Sequence, residues 1–145
     1  MCTKLITKLP NNQTGYKVVL LGKTDGLTYS LFFNYFQWAE GLNSSELYGY
    51  GPERTFHCFK NQKDAEQFAT YYSKFQIPAQ TCAVIQLTLS KKCYEGRTDA
   101  MDYSNLRTDY DGTSNFNGLL AVTGKKADWN GKLLKKFRNG KIYCK

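Results

Sequence analysis

The chain has 145 residues, a net charge of +8 and a 41% hydrophobic share, which argues against wholesale disorder and allows a core without metal or disulfide support. The charge is unevenly placed: residues 124–145 hold eight Lys and Arg against Asp128 alone, a net +7, while residues 1–123 hold twelve basic and eleven acidic residues, a net +1. No run approaches the roughly 20 apolar residues that a membrane-spanning helix needs.

Tyr, Phe and Trp make up 15% of the chain and Pro only three residues, which favours strands. The five cysteines, Cys2, Cys58, Cys82, Cys93 and Cys144, are odd in number and show no CxxC spacing, so reduced thiols are expected. His57 is the only histidine, and no zinc-type ligand cluster or other metal site is expected. The first residues, MCTKLITKLPNN, contain no signal-peptide core. Together these features predict a soluble protein of the cytoplasm.

After a short start expected to be frayed, GYKVVLLG (15–22) reads as a buried strand. Asp25-Gly26 is a turn signal, so Lys17–Leu21 and Thr28–Phe33 are expected to form a hairpin. SLFFNYFQWAEG fits an extension of that second strand or a short helix, and its pattern does not choose between them. Residues 41–53, with three glycines and a proline, read as a loop.

Thr55–Phe59 reads as a short strand. Asn61 is a suitable N-cap with Asp64 in the first turn, and Ala65, Phe68, Ala69, Tyr72 and Phe75 recur at helical spacing, predicting a helix at about 61–76 that stops before Pro78. AVIQLTLS (83–90) alternates, with Ala83, Ile85, Leu87 and Leu89 on one face, as in a half-buried strand. The unit is a β-α-β-like crossover on an otherwise antiparallel sheet. Residues 91–115 are polar, with Glu95, Asp99, Asp102, Asp109 and Asp111, and read as surface loop; these acids have no metal-binding spacing.

Three Asn-Gly pairs follow, at 117–118, 130–131 and 139–140. Asn139-Gly140 predicts a two-residue turn that sets Arg138 opposite Lys141, Phe137 opposite Ile142 and Lys136 opposite Tyr143. Phe137 and Ile142 would share the inner face, with Lys136, Arg138, Lys141 and Tyr143 on or near the outer one. A competing pattern makes Trp129–Phe137 an amphipathic helix, but Gly131 inside it would cost about 1 kcal/mol. The hairpin is the expectation.

Like charges placed opposite one another destabilise a ribbon unless an anion relieves them. Cations interleaved with aromatic rings offer phosphate pairing and stacking faces together. Lysine on a solvated edge strand is the simpler structural role for the same residues. The candidate ligand-binding residues are Lys132, Lys135, Lys136, Arg138 and Lys141 for phosphates, with Trp129 and Tyr143 as stacking or framing rings. In the middle of the chain, His57 and Cys58 are strand neighbours and point to opposite faces, which does not make a nucleophile–base pair. No phosphate-cradling, HExxH or GxSxG motif is present.

The run GPERTFHCFKNQKDAEQFATYY, followed by AVIQLTLS and CYEG, resembles small phage-type accessory proteins. Its strand–helix–strand order over about residues 15–96 also looks like the core of ADP-ribosyltransferase-like domains. The second resemblance implies NAD binding in a pocket around Tyr16, His57, Tyr71 and Glu95, with Glu95 as the polarising carboxylate. The first strand supplies Tyr16 and Lys17, and Glu95 lacks the paired E/Q-x-E spacing of such enzymes. The first resemblance implies a counter-defence protein that binds a nucleotide signal, a nucleic acid or a host defence protein.

The expectation is one α+β domain over residues 1–145: a mainly antiparallel, aromatic-rich sheet, one clear helix and a basic C-terminal β-hairpin segment at 124–145. The leading functional expectation is a non-catalytic binder of an anionic ligand, with no cofactor. The alternatives are an NAD-using transferase and an inhibitor docking on an acidic protein surface through Tyr48 and Tyr50. A homo-oligomer is compatible with each.

Overall fold

Twelve strands and one helix make up the described part of the protein, which in this computed structural model comprises residues 3–31, 36–45, 55–75, 77–98 and 118–144. In chain order they are β1 (Thr3–Leu9), β2 (Gln13–Leu21), β3 (Thr28–Ser30), β4 (Gln37–Trp38), β5 (Gly41–Ser44), β6 (Phe56–Phe59), α1 (Gln62–Phe75), β7 (Thr81–Ser90), β8 (Cys93–Thr98), β9 (Leu120–Gly124), β10 (Lys126–Trp129), β11 (Lys135–Arg138) and β12 (Lys141–Ile142). All twelve strands join one sheet, in the order β1-β8-β9-β6-β2-β7-β10-β5, with β3 and β4 attached beside β2, and β11 and β12 beside β7. The fold is α+β and every described pairing is antiparallel.

The spine is β7. It pairs with β2 from Gln13↔Leu89 to Leu21↔Thr81, and its other edge is shared by two strands laid end to end. β10 takes residues Leu87–Ser90, and β11 takes Thr81–Val84. The strand β7 is buried on both faces over its first half, because β-branched and small residues there meet α1 on one side and a second core on the other. Since β6 and β7 flank β2 and are both antiparallel to it, α1 connects two parallel strands across an intervening one. This is the expected crossover, split by β2.

Asn61 begins the helix, its carbonyl accepting from Ala65 N–H at 3.3 Å and its side-chain amide donating to Asp64 at 3.4 Å. The apolar stripe buries Ala65, Phe68 and Ala69, while Tyr72 and Phe75 are half-buried against the same cluster. Tyr71 and Ser73 are buried as well. Ser73 is explained by its hydroxyl, which accepts from Gly140 N–H at 3.0 Å and donates to the Thr70 carbonyl at 3.2 Å, tying the helix to the last hairpin.

The face away from the helix is a second core, and the sheet curls around it. Lys125 N–H donates to the Lys91 carbonyl at 2.8 Å, bringing the end of β9 against the end of β7. Lys91 and Lys92, with φ of 59° and 53°, turn the corner between β7 and β8. Trp38, Phe36 and Phe56 close the core, with Trp38 and Phe56 ring centroids 4.9 Å apart. The Trp38 indole N–H donates to Ser30 Oγ at 2.9 Å, so its one polar atom is satisfied in the interior.

Gly15 lies where β6, β7 and β9 side chains crowd β2. A Cβ there would meet Cys58 Cβ at 2.6 Å, Val122 Cγ2 at 3.1 Å and Leu89 Cδ1 at 3.2 Å. Gly15→Ala is therefore expected to cost about 1–3 kcal/mol by overpacking, read as a lower urea midpoint with an unchanged slope.

Several expectations are corrected. The chain start is an ordered strand, β1, paired with β8. Residues 93–98, expected as loop, form β8, because β1 and β9 offer pairing partners on both sides. Gly41–Ser44, also expected as loop, pairs with β10, and the Asn43 side chain bonds the Ala39, Gly41 and Ala127 carbonyls. The Asp25-Gly26 hairpin forms as β2–β3, with Leu21 opposite Thr28 and β3 ending at Ser30. Asp25 organises this turn by accepting from Leu27 N–H at 2.9 Å and from the Tyr29 hydroxyl at 2.6 Å. Of the ambiguous aromatic run, Gln37–Trp38 is strand β4; residues 32–35 lie outside the described residues, as do Cys2, Tyr48, Tyr50, Asp99, Asp102, Asp109, Asp111 and Asn117. Cys58, Cys82 and Cys93 are buried free thiols and Cys144 is an exposed one.

Candidate functional site

The Asn139-Gly140 turn fixes the geometry of the basic end. Both residues adopt positive φ, 51° and 78°, as a tight hairpin turn of this kind requires. Phe137 pairs with Ile142 and Arg138 with Lys141, and Tyr143 N–H donates to the Lys136 carbonyl at 2.8 Å. The expected register is the one formed. The competing helix over Trp129–Phe137 does not form: Trp129 ends β10 and Phe137 lies in β11.

Strand alternation then sorts the cations by face. Phe137 packs into the helix-side core, so Lys135 points the same way, and its Nζ meets Glu66 Oε1 on α1 at 2.8 Å. Lys136 and Arg138 point to the opposite face. There the Tyr143 ring lies under both cations, 5.7 Å from Lys136 Nζ and 5.5 Å from Arg138 Cζ. The Arg138 guanidinium also donates to the Ala79 carbonyl at 3.2 Å, and Lys141, exposed, stands directly opposite Arg138. Among the described residues no carboxylate pairs with Arg138 or Lys141. The result is a cationic face of Lys136, Arg138 and Lys141 around one half-buried tyrosine.

Three candidate residues leave this group: Lys135, turned to the helix side and paired with Glu66, and also Trp129 and Lys132. Trp129 is buried, 6% exposed, within the concave core, and its indole N–H donates to the Lys132 carbonyl at 3.0 Å. It cannot stack on a ligand. As the last residue of a strand held between β5 and β7, its ring falls on the face that carries Ala127 and Leu87. Lys132 is in the connection between β10 and β11, with its N–H on Asn130 Oδ1 at 2.9 Å, and lies outside the hairpin itself. A further correction concerns Ile142: it shares a face with Phe137 but is 61% exposed, because β12 is a two-residue edge.

The residues of the transferase-like alternative divide between the two faces of the sheet. Tyr16 packs against the helix-side core, Tyr71 is buried on the helix, and His57 alternates with Cys58 toward that same side. His57 Nε2 lies 3.3 Å from Thr55 Oγ1. Glu95 pairs in register with Val122, a member of the concave core, and so projects from the opposite face, where it forms an ion pair with Lys60. The sheet therefore separates Glu95 from the other three.

Sequence reading missed the Glu66 partner of Lys135, which only the docking of α1 on β11 creates. It named Lys17 on the first strand but not its burial, although a lone charge inside GYKVVLLG was a visible signal. Lys17 Nζ donates to the His57 carbonyl at 2.9 Å, and desolvation lowers its pKa from the ordinary lysine value, opposed by the nearby Cys58 thiol. Burial in turn pushes the Cys58 thiol up to about 11 and the Cys82 thiol to about 12.

No protein-family model matches the chain, and no curated protein or solved structure matches it either, which leaves the geometry of the ribbon as the main guide to function.

Proposed function

We propose that the chain is a non-catalytic binding protein that captures a phosphate-bearing anion, a nucleotide or a nucleic acid, on the β11–β12 ribbon. One observation carries this reading: Lys136, Arg138 and Lys141 are gathered on one face of a folded hairpin around Tyr143, with Arg138 and Lys141 directly opposed. Opposed like charges cost stability, and a bound phosphate offsets that cost through charge-assisted hydrogen bonds. The tyrosine supplies a face for a base. Sequestration of a nucleotide signal, the role suggested by the likeness to phage accessory proteins, would use the same surface.

The test is fluorescence anisotropy with labelled oligothymidylate and with a fluorescent ATP analogue, across a salt series. With three phosphate contacts, the logarithm of the oligothymidylate affinity should fall with the logarithm of salt at a slope of about −2. Absence of binding to both probes, or salt-independent binding, overturns the proposal.

A second reading has its own support. Leu133, Leu134 and Ile142 are 36%, 38% and 61% exposed beside these lysines, an arrangement suited to an acidic protein surface with apolar anchors. Capture of a partner that survives nuclease treatment would favour it over the first.

A further inference from the structure

The two most exposed large apolar side chains of the described residues are Leu42, at 67%, and Ile142, at 61%. Both lie on free edges of the sheet, since among the described strands β5 pairs with β10 alone and β12 with β11 alone. Register decides what each edge presents. Ser45 N–H donates to the Lys125 carbonyl, so alternation along the antiparallel ladder turns the main chain of Asn43 toward β10 and the Leu42 N–H and C=O away from it. Tyr143 N–H donates to the Lys136 carbonyl, so the same alternation points the Ile142 N–H and C=O away from β11. Each edge therefore offers one main-chain donor and one acceptor beside an exposed aliphatic side chain.

The two edges differ in charge. Glu40, exposed, precedes β5 and lies against Gly131, and Asp128 stands opposite Leu42. Neither carboxylate makes an ion pair among the described residues. Lys126, at the other end of β5, is engaged there, its Nζ donating to Ser44 Oγ at 2.9 Å. The β12 edge belongs to the ribbon of Lys136, Arg138 and Lys141. Two copies meeting through the same edge would set carboxylate against carboxylate at β5, or cation against cation at β12. Only β5 against β12 brings opposite charges together, so charge selects that pairing over the two symmetric ones.

We propose that the protein self-associates head to tail, the β5 edge of one copy pairing antiparallel with the β12 edge of a second copy. Leu42 of one copy stands opposite Ile142 of the other, and the two residues exchange both main-chain hydrogen bonds while their side chains cover each other. Gly41 then falls opposite Tyr143, and Asn43 opposite Lys141. The contact is heterologous and uses each edge once, so copies add in a row instead of closing as a two-fold dimer. Both strands are short, which makes the contact small and reversible.

Sedimentation velocity of the full chain, from about 1 μM to about 1 mM, covers the range expected of a small interface. The average mass should rise with concentration and fall back as salt is added. Leu42→Lys and Ile142→Glu each set a like charge against the facing edge, and each should weaken association at least about tenfold. Both positions are exposed, so the fold should be kept. An equimolar mixture joins the intact β12 edge of the first variant to the intact β5 edge of the second, and should stop at a dimer. A parent that stays monomeric throughout overturns the proposal, as does association that survives either variant or a mixture that does not pair. If either variant does not fold, Glu40→Gln combined with Asp128→Asn should weaken association several-fold, and unchanged association overturns the proposal. Anion capture is read separately, with labelled oligothymidylate at concentrations where the parent is monomeric, so either reading can fail without the other.

Discussion

A variant carrying Lys136→Gln, Arg138→Gln and Lys141→Gln together should bind oligothymidylate at least about 100-fold more weakly than the parent, because hydrogen bonds to charged groups contribute about 1.5–3 kcal/mol each and three are removed. Its salt dependence should also flatten by about 0.7 in slope for each lost phosphate contact. The melting temperature should stay close to that of the parent, since relief of the Arg138–Lys141 repulsion offsets the lost Arg138–Ala79 hydrogen bond and the lost contacts with Tyr143. Lys135→Gln is the internal control. That side chain is already matched by Glu66, so the substitution should barely change affinity and should cost less than about 1 kcal/mol of stability, as surface ion pairs do. Equal losses from Lys135→Gln and from the triple variant would mean that bulk charge, not the sorted face, attracts the ligand.

The second large effect is on stability in alkali. Cys58 and Cys82 ionise near 9 in the unfolded chain but only at about 11 and about 12 in the fold, since burial disfavours their thiolates. Above pH 9 the unfolded state therefore loses protons that the native state keeps. The stabilisation from each thiol is fully present below pH 9 and is lost as pH rises through the folded value. At 1.36 kcal/mol per pH unit, the losses come to roughly 3 kcal/mol for Cys58 and roughly 4 kcal/mol for Cys82, together a large part of an ordinary domain's 5–15 kcal/mol. Lys17 works in the opposite sense. Its lowered pKa is a penalty at neutral pH that fades as the unfolded amine deprotonates toward 10.5, so it offsets part of the loss. Urea midpoints measured from pH 8 to pH 12 should fall steeply above pH 9. A Cys82→Ala variant, less stable at pH 8, should show a shallower fall; parallel curves for parent and variant would contradict the assignment.

What could be read in the sequence follows from where the interactions lie. The Asn139-Gly140 register was legible because a two-residue turn with both φ positive leaves one way to pair its flanks. The stripe of Ala65, Phe68 and Ala69 and the alternation of Ala83, Ile85, Leu87 and Leu89 were legible because one buried face imposes a period. The segments of β5 and β8 were not. Gly41–Ser44 and Cys93–Thr98 are polar or glycine-containing, and become strands because neighbouring backbones offer partners, which no local pattern records.

The candidate site divides in the same way. Lys136, Arg138, Lys141 and Tyr143 could be grouped from the turn alone. Trp129 could not be assigned, since nearby lysines in sequence made it look like part of the ligand surface while strand pairing with Leu87 carried it into the core. The pairing of Lys135 with Glu66 depends on a helix 69 residues away in sequence. Glu95 and His57 looked like partners in a strand–helix–strand unit, and only the register of β6, β9 and β8 puts them on opposite faces.

Backbone amide chemical-shift mapping during titration with oligothymidylate tests the central claim most directly. The ribbon account predicts that the largest changes fall on residues 136–143, with the Tyr143 ring resonances moving as bases stack and Trp129 unmoved. Changes centred on another surface, with the Lys136, Arg138 and Lys141 amides unaffected, would contradict it.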